Sequence, residues 1–360
     1  MKRLSDVCTK GSSNIAQKDL DTRNGNYPIY GASGFIKNVD FYEQEKPYVA
    51  VVKDGAGVGR VMILPAKTSV IGTMQYIIPN EDVNVEYLAY AMENMNLSKY
   101  YTGATIPHIY FKDYGKEMLP EHSVDEQKYI ATSLNKISKL ISLRKQQLAK
   151  LDELVKSRFI EMFGSQCHNE KNYPYGKIDD VAEIYLGLTH TPEYIETGVK
   201  FISAKNTSCD YLDLSDVKYI SKEEYASAPA GAKPRKGDVL FSRVGSNLGH
   251  PVILDIDEEL CTFVSLGYLR TKGRVTNLYL KHWMRDDFFA EQVRRKVVGG
   301  GQPNLNTGWL KEFRIIIPPM DIQEQFAAFV EHTDKSKLAI QKSLEKLETL
   351  KKALMQKYFG

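Results

Sequence analysis

The chain has 360 residues, of which 42% are apolar and 26% charged, so it is a globular protein with room for two ordinary domains and is not disordered. Its net charge of +3 is too small for a non-specific DNA-coating protein, so any nucleic-acid surface must lie on one face. Four scattered cysteines without a C-x-x-C pair argue against a zinc cluster or a disulfide framework, and since the sequence shows neither a signal-peptide h-region nor a membrane span, we expect a cytoplasmic protein.

The first part of the chain has a strand-rich pattern. Residues 48–52 and 61–64 are apolar runs that predict two short strands, joined by the glycine-rich stretch Lys53–Arg60. Its alternating glycines suggest a dinucleotide-binding fingerprint, but a β-branched strand follows where that fingerprint needs a helix. We therefore predict a turn here, followed by a short helix near residues 85–94.

Residues 123–163 predict one long helix, because they contain no proline and their apolar residues recur at alternating spacings of three and four. Ser123 and Glu126 predict a capping box at its start. Arg144 and Arg158 interrupt the apolar seam, and we expect their charges to be solvated at its margins. About 40 helical residues correspond to roughly 60 Å.

The next segment repeats the strand-rich pattern. Residues 238–241 and 252–254 predict strands joined by a second glycine-rich loop, and a helix is predicted over residues 278–294. Asn172-Tyr173-Pro174-Tyr175 is similar to the box with which amino-methyltransferases hold a flipped base, but proline does not directly follow the asparagine. We interpret it as a turn into the second domain.

A second long helix is predicted at the C-terminal end, with Asp321 and Glu324 as its capping box and Lys337 and Lys351 interrupting its seam. One such helix alone could equally be a core helix, but two in matching register favour an antiparallel coiled coil. The predicted seam consists of Ile130, Leu134, Ile137, Ile141, Leu148, Leu151, Phe326, Val330, Ile340, Leu344, Leu347 and Leu354.

The chain thus contains one plan twice. The repeat offset is 196 residues for Pro107 and Pro303, 198 for Pro120 and Pro318, and 196 again at the Phe-Gly that closes each helix. This length is too great for a solenoid repeat. We predict an α+β fold with a pseudo-twofold internal repeat, in which two strand-rich domains are separated by two long antiparallel coiled-coil helices. The predicted boundaries are 1–120 and 165–319 for the domains and 121–164 and 320–360 for the helices.

Motifs of the common enzyme classes are missing from the sequence. It has no P-loop, no H-E-x-x-H, no G-x-S-x-G and no clear nuclease cluster of carboxylates and lysine, and its seven histidines show no ligand spacing. We therefore predict a binding protein without catalytic residues or a metal site.

The repeated pattern resembles the specificity (S) subunits of type I restriction-modification systems over essentially the whole chain. Tyr27-Pro28-Ile29-Tyr30-Gly31 is similar to a stretch near the start of many target-recognition domains, and Gly55–Arg60 resembles the family's glycine turn. Residues 299–305 resemble the family's glycine-rich element. The stretch from Pro318 to Gln325 resembles the Pro-Pro junction that precedes the family's long helix. The first copy departs from the family at residues 105–108 and at Glu121.

The resemblance implies a function. Each domain would recognise one half of a bipartite site on double-stranded DNA, with the helix pair as spacer and as docking site for two methyltransferase subunits, which motor-nuclease subunits then join. No cofactor is expected on this chain, since S-adenosylmethionine, ATP and Mg would belong to the partners.

Candidate DNA-binding residues are polar or basic side chains in loops, because such groups contact phosphates and base edges. They are Tyr30, Lys53, Arg60, Lys205, Asn206, Arg243, Ser246, Asn247, His250, Gln302 and Asn304. A turn or a solvated surface is an equally good interpretation of each.

Three other hypotheses stay open. The chain could be the specificity subunit of a fused methyltransferase-nuclease system (type IIB/IIG-like) or an orphan used for subunit exchange. It could also be a coiled-coil adaptor that binds proteins and not DNA. A stand-alone enzyme would need a motif that the sequence does not contain.

Overall fold

A computed structural model describes residues 1–103, 107–245, 247–296 and 304–360 of the chain. It contains two units, the first made of residues 1–147 and 340–360 and the second of residues 148–339. Both long helices, therefore, have one part in each unit.

The first unit contains nine strands and the first long helix begins in it. Its strands are β1 (Lys2–Arg3), β2 (Cys8–Ser12), β3 (Tyr27–Gly31), β4 (Gly34–Val39), β5 (Tyr48–Val52), β6 (Val61–Leu64), β7 (Ser69–Val70), β8 (Met74–Pro79) and β9 (Met118–Leu119) within the described residues. Its helices are α1 (Leu4–Val7), α2 (Val85–Asn94), α3 (Phe111–Tyr114) and α4 (Val124–Phe163), with 3₁₀ turns at Gln17–Leu20 and Leu97–Tyr100. The strands form a sheet in the order β2-β8-β5-β6, a second in the order β4-β3-β7, and a β1–β9 pair.

The second unit repeats this topology. Its strands among the described residues are β10 (Tyr175–Lys177), β11 (Ala182–Leu186), β12 (Val199–Ile202), β13 (Lys218–Ile220), β14 (Val239–Ser242), β15 (Pro251–Ile253), β16 (Leu260–Thr262), β17 (Leu266–Thr271) and β18 (Arg314–Ile316). Its helices are α5 (Ile178–Val181), α6 (Lys222–Ser227), α7 (Asn277–Trp283), α8 (Asp287–Lys296), α9 (Thr307–Lys311) and α10 (Met320–Phe359), with 3₁₀ turns at Ala204–Thr207 and Ala230–Ala232. The sheets run β11-β17-β14-β15 and β13-β12-β16, beside a β10–β18 pair. Each three-stranded sheet has one parallel pair, β3–β7 and β12–β16, so the predicted internal repeat is confirmed.

Strand β5 shows why the apolar runs form central strands. All five of its residues are buried. Tyr48, Ala50 and Val52 pack in one core cluster, while Val49 and Val51 pack in another on the opposite face. Because both faces are covered, the run is continuously apolar and does not alternate.

The two long helices pack against each other in antiparallel fashion within each unit. In the first unit, Leu134 near the start of α4 shares a buried cluster with Met355 near the end of α10. In the second, Phe159 near the end of α4 meets Phe326 near the start of α10, with ring centroids 5.5 Å apart. The predicted pairing is confirmed.

The predicted seam is buried or half-buried at all twelve positions. The lysines that interrupt it are partly buried and paired with carboxylates. Lys337 pairs with Asp152 at 2.6 Å and Lys351 lies 3.3 Å from Glu93, each with only a quarter of its side chain exposed. These two charges therefore lie at the margins of the seam, in ion pairs and only partly exposed to solvent.

Gln323, which is fully buried, ties the start of α10 to two other segments of the second unit. Its Oε1 accepts a hydrogen bond from the Thr276 N–H at 2.8 Å. Its Nε2 donates to the carbonyl oxygens of Arg274 (3.2 Å) and Pro318 (2.8 Å). One side chain thereby satisfies three backbone groups.

Gln127 makes the same three bonds in the first unit. Its Oε1 accepts from the Asn84 N–H at 2.8 Å, and its Nε2 donates to the carbonyls of Asp82 (3.3 Å) and His122 (3.0 Å). Gln127 therefore corresponds to Gln323, at an offset of 196 residues.

The offset of 198 that the sequence suggested for Pro120 and Pro318 is wrong. The carbonyl of Pro120 accepts a hydrogen bond from the Tyr87 hydroxyl at 2.9 Å. Ile316, 196 residues further on, accepts the equivalent bond from Tyr279 at 2.7 Å. The two prolines, and the pairs Glu126-Gln127 and Glu324-Gln325 at the same offset, therefore match in sequence but are not equivalent in structure.

The capping boxes also differ. Ser123 and Glu126 form the predicted box, with the Ser123 N–H donating to Glu126 Oε2 at 2.8 Å and the Glu126 N–H donating to Ser123 Oγ at 3.3 Å. At the second helix the prediction is wrong, because α10 begins at Met320 and Asp321 already lies in its first turn.

The short helices are only partly as predicted. Helix α2 covers the predicted residues 85–94. The helix predicted over 278–294 is two helices, α7 and α8, because the Asp286 carboxylate accepts the Phe288 N–H at 2.8 Å and starts a new helix there. None of the helices that the structure describes is apolar over enough residues to cross a membrane.

The buried amide gives a test of the repeat register. We expect Gln323→Ala to lower the free energy of unfolding by about 2 kcal/mol, because it leaves buried backbone groups without partners. Gln325→Ala is the matched control, since Gln325 is exposed and is the residue that the 198 offset would pair with Gln127. Urea unfolding of the full chain measures both. Equal losses for the two variants would contradict the 196 register.

Candidate nucleic-acid interface

The first glycine loop, residues 53–60, connects β5 to β6 and is closed by two backbone bonds. The Val52 N–H donates to Arg60 O at 2.9 Å, and the Gly59 N–H donates to Val52 O at 2.8 Å. Gly59 has a φ of +85°, and a Cβ there would lie 2.4 Å from the backbone nitrogen of Ser98. Only glycine fits this position.

The second glycine loop, residues 243–250, connects β14 to β15 in the same way. The Ser242 N–H donates to His250 O at 3.4 Å, and the Gly249 N–H donates to Ser242 O at 2.7 Å. Gly249 has a φ of +74°, and a Cβ there would lie 2.5 Å from the ring of Phe289. This loop has the same construction as the first.

Each glycine loop is also tied to a later segment of its unit. The Ile109 N–H donates to Lys53 O at 2.9 Å, and the Leu305 N–H donates to Arg243 O at 2.8 Å. The two units therefore share one backbone framework at this place.

The side chains on this framework differ between the units. In the first, Asp54 Oδ1 contacts Nδ1 of His108, whose ring lies 4.2 Å from that of the exposed Tyr110. A backbone bridge joins the equivalent positions in both units, Asp54 with His108 in the first and Val244 with Asn304 in the second. An acid–imidazole pair in one unit thus corresponds to an apolar residue and a carboxamide in the other.

Arg243 braces the second glycine loop. Its Nη1 donates to Val264 O at 2.9 Å, its Nε to Leu305 O at 3.3 Å and its Nη2 to Asn304 Oδ1 at 3.4 Å. Burial lowers the pKa of its guanidinium. The side chain is half-buried, so it holds Asn304 in place from below the surface.

The candidates of the first unit lie in or near its loop. Arg60 is exposed, and its Nη1 donates to Ala32 O at 2.9 Å. Lys53 is half-buried at the start of the loop. Tyr30 lies on β3, where its ring meets that of Phe35 edge-on at 6.0 Å.

The candidates of the second unit vary in exposure. Asn247 is exposed on the loop. His250 is half-buried, with Nε2 3.0 Å from Cys209 O and 3.4 Å from Asp210 Oδ1. Lys205 is exposed and pairs with Asp216 at 2.8 Å.

Asn206 has a different position from the one that the sequence suggested. It is buried, its Oδ1 accepts the Ser203 N–H at 3.0 Å and its Nδ2 donates to Asp213 O at 2.9 Å. This geometry makes it a support of its own loop, and we remove it from the candidate surface. Ser246 and Gln302 lie outside the described residues, so their candidacy stays a prediction.

Three residues of this framework were missed in the sequence: Asp54, His108 and Tyr110. The 196-residue offset could have identified them, because it makes His108 the equivalent of the candidate residue Asn304 in the repeat. His108 was noted only as a departure from the family pattern.

The polar side chains of the two loops are hydrogen-bond donors and acceptors. Outside residues 104–106, 246 and 297–303, the structure contains no group of three His, Cys, Asp or Glu side chains that could hold a metal ion. The exposed groups are guanidinium, carboxamide and phenol, with half-buried imidazoles beside them, and such groups contact phosphates and base edges in protein–DNA complexes.

Comparison with known proteins agrees with this arrangement. The chain matches the model of the type I restriction modification DNA specificity domain over residues 1–153 and 170–352. It is 21% identical over 348 residues to the type I restriction enzyme MjaVIII specificity subunit of Methanocaldococcus jannaschii, with 90% of this chain and 81% of that protein covered.

Two solved structures share the fold. One is the type I restriction-modification S subunit from M. genitalium, at a TM-score of 0.65 and 14% identity, covering 100% of this chain and 95% of that one. The other comes from a study of complex assembly and conformational transition of a type I restriction-modification system, at a TM-score of 0.57 and 17% identity, covering 99% and 96%. Since the family model covers most of the sequence in two successive matches, the chain belongs to the family of DNA specificity subunits of type I restriction-modification systems.

Proposed function

We propose that each unit of this specificity subunit recognises one half of a bipartite site on double-stranded DNA. The long helices act as the spacer between the half-sites and as the docking surface for two methyltransferase subunits. The chain itself is not catalytic, and S-adenosylmethionine, ATP and Mg bind to the methyltransferase and motor-nuclease partners.

The observation that carries this proposal is the shared framework of the two glycine loops. A common backbone can approach DNA in the same way in both units, while the side chains on it decide which bases are preferred. Residues 54 and 108 in the first unit and 244 and 304 in the second differ in hydrogen-bonding chemistry. Because base readout depends on donors and acceptors at groove edges, we expect the two half-sites to differ in sequence.

Exposed leucines on the long helices support the docking of two equivalent partners. Leu154 on α4 is 48% exposed and Leu350 on α10 is 47% exposed. These residues are 196 positions apart and therefore equivalent in the repeat. Other exposed apolar residues of the two helices, Leu140, Leu143, Ile160 and Leu338, have no large apolar residue 196 positions away. A matched pair such as Leu154 and Leu350 suits two copies of one partner protein.

Adenine methylation should reveal the bipartite target. In cells that express the chain with its methyltransferase partner, we expect modified adenines within a split motif, two short defined blocks around an unspecified gap. Single-molecule sequencing of genomic DNA measures this, with cells lacking the chain as control. A continuous motif, or methylation that persists without the chain, would contradict the proposal.

Arg243→Ala should act on the second half-site alone. It removes three hydrogen bonds that hold the second loop and Asn304, so we expect about tenfold weaker binding to the intact site, from the loss of about 1.4 kcal/mol. Scrambling the second block of the DNA should then cost the variant less affinity than it costs the wild type, whereas scrambling the first block should cost both proteins the same.

The matched control for that measurement is Lys53→Ala, at the equivalent position of the first loop. It should alter discrimination only at the first block. Fluorescence anisotropy with the methyltransferase-bound chain and three duplexes measures both variants. A loss shared equally by both blocks for either variant would reject local recognition.

The helix leucines predict the stoichiometry of assembly. Leu350→Glu should remove one of two bound methyltransferase subunits, and the double variant with Leu154→Glu should remove both, because a carboxylate in an apolar contact is poorly solvated. Native mass spectrometry counts the subunits. Leu350→Met, which keeps the apolar surface, should retain both, and undiminished assembly of the double variant would exclude this docking surface.

A further inference from the structure

Helix α8 of the second unit is firmly held on one side. Phe289 and Val293 are buried in the core of the unit. The side chain of Gln292 makes two bonds to the backbone of Arg314, donating from Nε2 to its oxygen at 3.1 Å and accepting its N–H at 2.7 Å. The helix therefore has a fixed orientation on β18.

The same helix supports the second glycine loop. The ring of Phe289 lies so close to Gly249 that a Cβ on the glycine would be 2.5 Å from it. Helix α8 and the loop that carries Asn247 and His250 thus form one packed structure. Arg294 lies five positions after Phe289, which is about 8 Å along a helix.

The last turn of α8 is basic and solvent-facing. Arg294 and Arg295 have 67% and 74% of their side chains exposed, and Lys296 is exposed next to them. Glu291 pairs with both arginines, at 2.8 and 2.9 Å. Three positive charges thus stand against one negative charge, at the helix end whose dipole favours cations.

The equivalent place in the first unit has different chemistry. There the 3₁₀ turn Leu97–Tyr100 packs against the first glycine loop through Ser98 and Gly59. Its one basic residue, Lys99, forms an ion pair with Glu117, which also accepts a hydrogen bond from the Tyr100 hydroxyl at 2.6 Å. The pair leaves no surplus of positive charge on this turn.

We propose that the last turn of α8, Arg294, Arg295 and Lys296, binds the DNA phosphate backbone beside the half-site that the second glycine loop contacts. The proposal rests on the proposed function, since it assigns the second unit a phosphate contact that the first unit lacks at the equivalent turn. The exposed pairs with Glu291 do not oppose it, because solvent-exposed ion pairs contribute little and exchange readily. The contact sets affinity and position and carries no sequence information.

Salt dependence tests this proposal without knowledge of the target. The probe is a fluorescein-labelled 40-base-pair duplex of random sequence, bound by the full chain in complex with its methyltransferase partner. Each lost phosphate contact lowers the slope of log K against log [NaCl] by about 0.9. For the variant Arg294→Gln/Arg295→Gln/Lys296→Gln we therefore expect a slope smaller by about 2 to 3, with weaker binding at low salt.

Two further variants serve as controls. Lys99→Gln, in the equivalent turn of the first unit, should leave the slope unchanged, because its partner Glu117 is mostly buried, is held by Tyr100 and balances its charge one to one. Arg294→Lys/Arg295→Lys keeps the charges and should retain the wild-type slope. Thermal unfolding of each variant shows that the fold is intact.

The outcomes separate this proposal from the function on which it rests. If the wild-type complex binds the duplex and the triple glutamine variant keeps its slope, the phosphate contact is wrong while DNA recognition stands. If the variant keeps its slope but loses the methyltransferase, the basic turn contacts an acidic protein surface, which also overturns the proposal. Failure of the wild-type complex to bind this duplex or genomic target DNA would overturn both.

Discussion

One buried side-chain amide in each unit holds together the parts on which the candidate interface depends. Gln127 and Gln323 each join the start of a long helix, the turn before it and the N-terminus of α2 or α7. The carboxamide suits this place because it both donates and accepts, whereas a carboxylate only accepts. The bonds fix the helix end against the strand-rich part of the same unit.

The glycine loops show how one backbone can carry two different sets of side chains. Gly59 and Gly249 lie against neighbouring groups so closely that a side chain would not fit, and both adopt positive φ. These constraints act on the backbone alone. Other residues of these loops, such as Asp54 and Val244, do not have that restriction and can differ between the units without altering the path of the loop.

Much of this fold could be predicted from the sequence, because its strongest signals are periodic. The long helices, their seam and the buried strand Tyr48–Val52 all follow from the spacing of apolar residues. The repeat register could not be predicted at the start of the long helices. The match of residue type between Pro120 and Pro318, at an offset of 198, hid the equivalence of Gln127 and Gln323.

The candidate interface was less predictable than the fold, for a physical reason. A polar residue in a loop can support the loop or face the solvent, and only burial distinguishes the two. Asn206 is buried and bonded to backbone, and Arg243 is half-buried beneath Asn304, although both are polar residues of loop segments. The His108–Asp54 contact joins residues 54 positions apart, and no local pattern reports such a pairing.

The contact between each glycine loop and the segment behind it has an evolutionary consequence. Because Gly59 and Gly249 have no side chain, the segment packed against them can be a single 3₁₀ turn in the first unit and a ten-residue helix in the second. The same backbone bonds close the loop in both units. The segment behind the loop can therefore lengthen, shorten or change its charge by mutation while the loop keeps its shape. Under the function proposed above, such a protein could change its affinity for DNA separately from its sequence preference.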